Sequence, residues 1–415
     1  MKRFALILAL LLAATGANAA TKHVAAAHPA KPVAHAAKPA AIEPAAGPAA
    51  AGEDATTSGT TPMYTAAQHA IYVYHPATGT VLENENGDLK LGPASLTKLM
   101  TLYLTFDNLK SGKIKLDTPV NVSEKAWRTE GSKMFIEVGK PVPVEMLIKG
   151  IAIVSGNDAC VAMAEQLGGT EAGFVEMMNA KAKELGMTNT HYADSNGLPD
   201  PSQKSTAHDI AMLLTAIYRD FPEYKKYLAE EEFTWNGIHQ QNRNGLLHTD
   251  LGIDAGKTGH TEESGYHLAS TAIQNGERLV VVVMGTNSFS EREGQSMQAY
   301  RTFFASNSTA TIFKPGDVLV HDVPVWHGTI GRVNLTVGQP VAAYLNRSNP
   351  GNIKASVTYN KPLVAPLAAD KPVGEVTVTL ASGQTLTAPL VPQAAVPEAG
   401  FGGRFLQTLA SKFGL

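Results

Sequence analysis

The stretch YHLASTAIQNGERLVVVVMG, residues 266–285, decides the fold class. Residues 266–272 and 279–285 are both rich in apolar and β-branched side chains, and the dipeptide Asn275-Gly276 lies between them. Two such runs joined by Asn-Gly indicate a β-hairpin with a tight turn. The stretch therefore predicts two antiparallel strands of a buried sheet.

Further strands and helices are predicted upstream of this hairpin. Residues 70–82 predict another hairpin, and Pro93 precedes a predicted helix. Residues 143–168 and 171–186 predict two amphipathic helices. Strands at both ends of the segment with helices between them predict an α+β fold, an antiparallel sheet flanked by helices, over residues 63–312.

The N-terminus has the pattern of an export signal. Lys2 and Arg3 precede an apolar run over residues 4–14, and Ala17-Asn18-Ala19 fits a small-residue cleavage site. The run is too short to cross a bilayer. The sequence therefore predicts a signal peptide over residues 1–19 and a mature protein that works outside the cytoplasm.

Residues 20–62 predict a disordered linker, because they are mostly Ala, Pro, Lys, His, Gly and Thr and cannot form a core. Their histidines, His23, His28 and His35, are irregularly spaced, which favours a solvated segment over a metal site. The formal net charge of −3 gives no basic field for nucleic acid. No H-E-x-x-H motif is present, so a zinc peptidase is disfavoured, and we predict no metal or cofactor.

The C-terminal third has a different pattern. Short β-like runs separated by Gly, Pro and Asn predict a small all-β domain over residues 313–393. In residues 394–415, large apolar side chains recur every four positions at Phe401, Phe405, Leu409 and Phe413. This spacing predicts an amphipathic helix that binds the membrane surface, with docking onto the β domain as the alternative.

The motif Ser95-Leu96-Thr97-Lys98 places a hydroxyl and an amine three residues apart, on one face of a helix. A serine hydroxyl becomes a good nucleophile when a base takes its proton, and a lysine with a lowered pKa can be that base. The alternative is a helix cap beside a solvated lysine. In combination with the motifs below, the pattern favours catalysis.

The motif Ser155-Gly156-Asn157 follows an apolar run that must be buried, so its polar side chains are expected to line a cleft. Ser155 could relay a proton and Asn157 could orient Lys98 and a substrate carbonyl. The alternative is a polar turn that caps the next helix.

The motif Lys257-Thr258-Gly259 lies on the strand before the hairpin. Gly259 lets a substrate backbone lie alongside, and Lys257 and Thr258 would meet a substrate carboxylate. The backbone amides of His260 and Ser95 would form an oxyanion hole. The alternative is an exposed strand end with an ordinary surface lysine.

The three motifs in this order form a signature of penicillin-binding proteins and β-lactamases. The chain resembles the low-molecular-weight penicillin-binding proteins of the serine D-alanyl-D-alanine carboxypeptidase type. The segments that carry the resemblance are residues 93–101, 131–135, 155–159, 195–198, 242–247 and 257–261.

The resemblance implies an acyl-enzyme on Ser95, with Lys98 as base and Ser155 and Asn157 assisting. It implies that Arg292 reaches the substrate carboxylate together with Lys257 and Thr258, and it places Arg243 near the cleft mouth. The implied substrates are peptidoglycan stem peptides ending in D-Ala-D-Ala, and the implied inhibitors are β-lactams. The implied location is the periplasm, at the outer face of the cytoplasmic membrane.

Three alternatives stay open at this point. A DD-endopeptidase would use the same centre. A class A β-lactamase would need a Glu-x-x-x-Asn loop to activate the deacylating water, and the separate β domain and terminal helix argue against that class. A non-catalytic peptidoglycan-binding scaffold would not need the intact motifs. The single cysteine, Cys160, excludes an internal disulfide, and a small buried residue is favoured over a reactive thiol.

Overall fold

The structure is a computed structural model that describes residues 2–10 and 69–413. The predicted linker over residues 20–62 and the cleavage site at residues 17–19 lie outside the described residues. The strands, numbered β1 to β18 along the chain, are Lys2–Leu10, Ala70–His75, Thr80–Glu85, Pro119–Val120, Val142–Pro143, Glu232–Trp235, Ile238–Gln241, Ile253–Thr261, Gly265–Gln274, Glu277–Thr286, Asn307–Phe313, Val318–Trp326, Arg332–Val337, Val341–Asn346, Ile353–Lys361, Leu363–Val364, Gly374–Thr379 and Thr385–Pro392. The α-helices, α1 to α8, are Lys98–Lys110, Glu124–Arg128, Val144–Ala152, Asn157–Gly168, Glu171–Glu184, Ala207–Asp220, Phe289–Ser306 and Phe401–Phe413.

The main domain is built on a five-stranded antiparallel sheet in the order β3-β2-β10-β9-β8. The central strand β10 carries four consecutive valines that alternate between its two faces. Val280 and Val282 join a core made with α1 and α6, whereas Val281 and Val283 join a second core with α7. Helices therefore cover both faces of the sheet, and the predicted hairpin and α+β class are confirmed.

The prediction of one helix over residues 143–168 is wrong. Helix α3 ends at Ala152 and α4 begins at Asn157, because Ser155 has a φ of +61°, which a right-handed helix does not permit. The amide of Gly156 instead donates to the carbonyl oxygen of Gly150 at 2.9 Å. The break places Ser155 between the two helices, where it lines the cleft described below, and Asn157 at the start of α4.

The β domain contains a seven-stranded sheet in the order β1-β15-β17-β18-β13-β12-β16 and the two-stranded sheet β11-β14, which share one apolar core. The short β-like runs at residues 318–320, 323–326, 332–337, 341–345, 355–359 and 373–380 predicted β12 to β15 and β17. They missed β1, β11, β16 and the eight-residue β18, Thr385–Pro392. That strand buries only alternate residues and contains Pro389, which weakens the strand signal. Strand β1, which covers part of the predicted signal peptide, pairs with β15; the signal peptide itself stays a prediction.

The two domains contact each other at the turn between β2 and β3. The ring of Tyr344 on β14 stacks on His75 with a centroid separation of 4.3 Å, and its amide donates to Thr80 Oγ1 at 3.0 Å. Gln384, just before β18, accepts from the amide of Val81 at 2.9 Å and donates to the carbonyl of Gly79 at 2.6 Å. These bonds fix the β domain against the edge of the main sheet.

We expect Gln384→Ala to weaken this contact by about 1–2 kcal/mol, because it removes two hydrogen bonds between the domains. In calorimetry, the unfolding transitions of the two domains should move apart. The control is Gln393→Ala, which removes a side chain bonded to Asn334 within the β domain. A profile for Gln384→Ala that matches wild type would contradict the prediction.

Candidate active site

Ser95 lies in the 3-10 turn Ala94–Thr97, which leads into α1. Ala94 has a φ of +47°, an uncommon conformation for a residue with a side chain. Gly197 packs against it so closely that a Cβ at Gly197 would overlap the Ala94 carbonyl. The turn that carries Ser95 is therefore held in a strained conformation by the segment around Gly197.

Lys98 is completely buried, and its Nζ contacts three oxygen atoms from three parts of the chain. It lies 2.9 Å from Ser95 Oγ and 2.7 Å from Asn157 Oδ1, and it also donates to the carbonyl of Asn196. The amide and carbonyl oxygens can only accept, so they hold two of the amine's hydrogens. The remaining position of Nζ faces the Ser95 hydroxyl.

Burial lowers the pKa of Lys98 below its ordinary value, because a desolvated amine is easier to keep neutral. A neutral amine presents a lone pair where the ammonium has its third hydrogen. With the other hydrogens held by Asn157 and Asn196, that lone pair points at Ser95 Oγ. The arrangement suits Lys98 to accept the serine proton.

Ser155 and Lys257 meet on the opposite wall of the site. Lys257 Nζ donates to Ser155 Oγ at 3.0 Å and to the carbonyl of Thr258 at 2.9 Å. The pKa of Lys257 lies well below its ordinary value. Burial is the largest cause, and the nearby positive charges of Lys98 and Arg243 lower the pKa further. The structure thus brings together the first, second and third sequence motifs.

Strand β8 forms the exposed edge of the five-stranded sheet and carries Thr258, Gly259 and His260. A Cβ at Gly259 would come within 3.2 Å of the Pro93 carbonyl, so glycine permits this strand to approach the serine turn. A cleft of about 540 Å³ opens here, lined among others by Ser95, Ser155, Thr258, His260, Arg243 and Arg292.

Both predicted arginines line this cleft; Arg292 is buried, whereas Arg243 is exposed. Arg292 donates to the carbonyls of His267 at 3.3 Å and Arg243 at 3.2 Å, and its guanidinium lies 4.6 Å from the centre of the Phe289 ring. Its buried Nε has no hydrogen-bond partner among the described residues. Burial lowers the pKa of Arg292 to about 10, so it still carries a positive charge at neutral pH.

The sequence interpretation offered Asp158 only as a cap for the next helix, but this buried carboxylate organises one wall of the cleft. It accepts hydrogen bonds from the backbone amides of Met134, Phe135 and Ile136 at 2.9–3.2 Å. Its neighbour Asn157 donates from Nδ2 to the carbonyl of Glu130 at 2.7 Å. The sequence signal that could have indicated this role is the position of Asp158, directly after the Ser-x-Asn motif and at the start of a helix.

Two further groups were recognised in the sequence without a role. The landmark that contains Asn196 supplies a carbonyl to Lys98. Cys160 is fully buried in α4. The helix predicted over residues 143–168 would have carried both Cys160 and Ser155, but Ser155 lies before the start of α4. Burial raises the pKa of the Cys160 thiol to about 12, which argues against a reactive thiol. In residues 2–10 and 69–413, no cluster of three or more His, Cys, Asp or Glu could hold a metal ion.

Comparison with known protein families identifies both domains. The family model of D-alanyl-D-alanine carboxypeptidases, peptidase S11, matches residues 55–288. The chain belongs to the D-alanyl-D-alanine carboxypeptidase family. A second model, the C-terminal domain of penicillin-binding protein 5, matches residues 308–398, which cover most of the β domain.

Curated relatives of this carboxypeptidase family resemble the chain over most of their length. The D-alanyl-D-alanine carboxypeptidase DacA of Escherichia coli is 39% identical over 345 residues, covering 81% of this chain and 85% of the relative. DacC of the same organism is 40% identical, covering 81% and 86%. The predicted family and the predicted enzyme class, a serine-type D-alanyl-D-alanine carboxypeptidase, are confirmed.

Solved structures of the family show the same fold. Penicillin-binding protein 5 from Haemophilus influenzae matches with a TM-score of 0.71 and 36% identity, covering 82% of this chain and all of that one. Penicillin-binding protein D2 from Listeria monocytogenes, solved in an ampicillin-bound form, matches with a TM-score of 0.51 and 27% identity over 56% of this chain and 95% of that one. The carboxypeptidase interpretation is favoured over the endopeptidase, β-lactamase and scaffold alternatives.

His267 gives this carboxypeptidase a pH-dependent stability. Its Nε2 lies 3.0 Å from the Gly92 carbonyl, while Nδ1 accepts from the amide of Gly285 at 2.9 Å, so only the neutral ring fits. Burial lowers its pKa to about 4. Since the unfolded chain binds this proton more readily, stability is full above about pH 6.5 and is lost towards pH 4.

We expect the free energy of unfolding to fall by about 2 kcal/mol from this group between pH 7 and pH 5. Urea unfolding at both pH values, with wild type and His267→Gln, measures it. The variant should lose that part of the pH dependence. Equal pH dependence in both proteins would show that His267 does not titrate as described.

Proposed function

We propose that this chain is an exported carboxypeptidase that trims the terminal D-alanine from peptidoglycan stem peptides, with Ser95 as its nucleophile. The single observation that carries the proposal is the contact between a buried Lys98 amine and the Ser95 hydroxyl at 2.9 Å. Catalysis of this kind needs a base with an accessible neutral form, and burial lowers the pKa of Lys98 in that direction.

In the acylation step, Lys98 Nζ takes the proton of Ser95, and Oγ attacks the carbonyl carbon of the penultimate D-alanine. The backbone amides of Ser95 and His260 stabilise the resulting oxyanion. The proton then reaches the leaving amine through Ser155, which lies between the cleft and Lys257. The C–N bond breaks, D-alanine leaves, and an ester on Ser95 remains.

Deacylation reverses these roles. Water attacks the ester carbon and gives a proton to Lys98, and Ser95 regains its proton as the shortened peptide leaves. Asn157 holds Lys98 in place by accepting from Nζ through Oδ1 at 2.7 Å. A β-lactam would acylate Ser95 by the same first step, since its ring amide replaces the scissile peptide bond.

The terminal carboxylate of the substrate is assigned to the cationic part of the cleft. Arg243 and Arg292 bring positive charge to this side, Thr258 brings a hydrogen-bond donor, and Arg292 Nε is unpaired among the described residues. A free α-carboxylate placed there would satisfy these groups. This arrangement favours trimming of a chain end over cutting an internal cross-link.

We expect Ser95→Ala to abolish D-alanine release from diacetyl-Lys-D-Ala-D-Ala and labelling by a fluorescent penicillin. Lys98→Arg should reduce both by about a thousand-fold or more, because a guanidinium cannot act as the base. The matched control is Lys90→Arg, an exposed lysine outside this contact network.

The outcomes separate the remaining alternatives. A penicillin adduct on Ser95 without D-alanine release would favour an endopeptidase or a penicillin-sensing protein. Equal labelling of wild type and Ser95→Ala would refute the nucleophile assignment, and neither release nor adduct in wild type would favour the scaffold alternative.

We further propose that α8 holds the periplasmic enzyme at the outer face of the cytoplasmic membrane. Its polar side chains contact the β domain: Gln407 accepts from the amide of His327 at 2.5 Å, and Arg404 pairs with Glu398 at 2.5 Å. Phe401 and Phe405 remain 82% and 58% exposed. Among the described residues, no helix is long and apolar enough to cross a membrane, so attachment would be peripheral.

We expect deletion of residues 400–415 to release the enzyme from vesicles of anionic phospholipid without loss of carboxypeptidase activity. The cut spares Val396, which is buried in the β-domain core. Phe401→Ser combined with Phe405→Ser should have the same effect, and Trp326→Ser is the control at an exposed aromatic residue outside α8. Sedimentation of the truncated enzyme with vesicles would refute the attachment.

A further inference from the structure

A second groove of about 570 Å³ lies beside the catalytic cleft and is not used by the mechanism above. We name it the aromatic groove. Its lining residues come from α2, from the segment after Gly131 and from the β6–β7 hairpin; they are Trp127, Arg128, Lys133, Phe135, Ile136, Glu137, Asn236 and Ile238.

The apolar side chains of this groove are unusually exposed. Trp127 is 46%, Phe135 47% and Ile238 39% accessible to solvent. Apolar residues that gather at one exposed concave surface, with polar groups at its rim, mark an interaction site. Here the rim carries Arg128, Lys133 and other charged or amide side chains.

The conformation of Phe135 shows that its exposure is built into the fold. Its φ of +66° is unfavourable for a bulky side chain. The carboxylate of Asp158 holds it there by accepting from the Phe135 amide at 2.9 Å, and Asn236 Nδ2 donates to its carbonyl at 3.2 Å. Of the strained residues around the site, Ala94 and Ser155 are explained by catalysis, but Phe135 is not.

The aromatic groove and the catalytic cleft are lined by neighbouring residues of the same two segments. The segment after Gly131 contributes Ser132 to the cleft and Phe135 to the groove. The β6–β7 hairpin also contributes to both: Gln241, its last residue, lines the cleft, and Ile238 lines the groove. A hydrogen bond of 3.3 Å from Gln240 Nε2 to the Lys133 carbonyl joins the two walls at the boundary.

We propose that the aromatic groove binds the glycan strand to which the substrate peptide is attached. The inference rests on the proposed function, because it takes peptidoglycan as the substrate. Each pyranose ring of such a strand has an apolar face of C–H groups and an edge of hydroxyl and acetamido groups. Aromatic side chains can cover the apolar ring face, and the amide and charged groups at the rim of the groove can form hydrogen bonds with the polar edge.

The dimensions agree with this occupant. Four stem-peptide residues between the glycan and the scissile carbonyl span at most about 14 Å when extended. The three steps of chain from Ser132 in the cleft to Phe135 in the groove span at most about 10 Å, which lies within that reach. Arg128 and Lys133 would also attract the carboxylates that stem peptides carry.

The test compares Trp127→Ala and Phe135→Asn with wild type on two substrates. Asn tolerates a positive φ better than Phe, so Phe135→Asn removes the ring and preserves the backbone. D-alanine release from diacetyl-Lys-D-Ala-D-Ala should be unchanged. Release from intact, glycan-borne pentapeptides should fall about five- to ten-fold in kcat/KM. Trp326→Ala, at a tryptophan that is equally exposed at 46% on the β domain, is the control and should affect neither.

A direct measurement separates this proposal from the proposed function. The Ser95→Ala protein should bind immobilised, peptide-free strands of alternating N-acetylglucosamine and N-acetylmuramic acid, and Trp127→Ala in that background should weaken binding about ten-fold. Binding that persists without any D-alanine release by wild type would overturn only the proposed reaction. An equal loss of D-alanine release from both peptide substrates would overturn the groove assignment. Unchanged glycan binding and unchanged hydrolysis in both variants would also overturn it, and that result is expected if the groove is a protein-docking surface.

Discussion

The site depends on one buried amine. Lys98 is completely removed from water, and an unpaired charge in that position would destabilise the fold by several kcal/mol, on the order expected for buried ions. Its Nζ is satisfied by oxygen atoms from the 3-10 turn, from the start of α4 and from the loop at Asn196. These parts of the chain must therefore meet before the amine can be buried, which couples assembly of the fold to assembly of the site.

The same constraint explains why strained backbone is concentrated around the site. Ala94 and Ser155, both with positive φ, lie where the chain turns sharply to aim a hydroxyl at Lys98 or Lys257. Neither conformation is stable by itself, and each is enforced by its surroundings, as by the close packing of Gly197 on Ala94. The hydrogen bonds that Lys98 and Lys257 make with distant segments thus compensate for the backbone strain at Ala94 and Ser155.

Sequence alone predicted the parts of the molecule that follow from local pattern. The hairpin around Asn275 has both a turn signal and apolar runs, and the spacing of Ser95 and Lys98 places them on one helical face. What it missed depends on tertiary contacts. The break at Ser155 runs against the helical periodicity of residues 143–168, and the roles of Asp158 and His267 exist only because distant amides and carbonyls approach them.

The N-terminal end of α4 connects the chemistry to the surface that meets a polymer. Asn157 orients the buried amine, and the next residue, Asp158, fixes the backbone of the wall that ends in Phe135. Substrates with the same scissile bond make identical contacts with Ser95 and Lys98, so the buried centre cannot distinguish between them. Selection among such substrates must arise where the walls of the cleft reach solvent. The start of α4 holds both the buried centre and the wall that ends in Phe135 in a fixed relation. A change in the wall can therefore alter substrate choice without altering the base that activates the nucleophile.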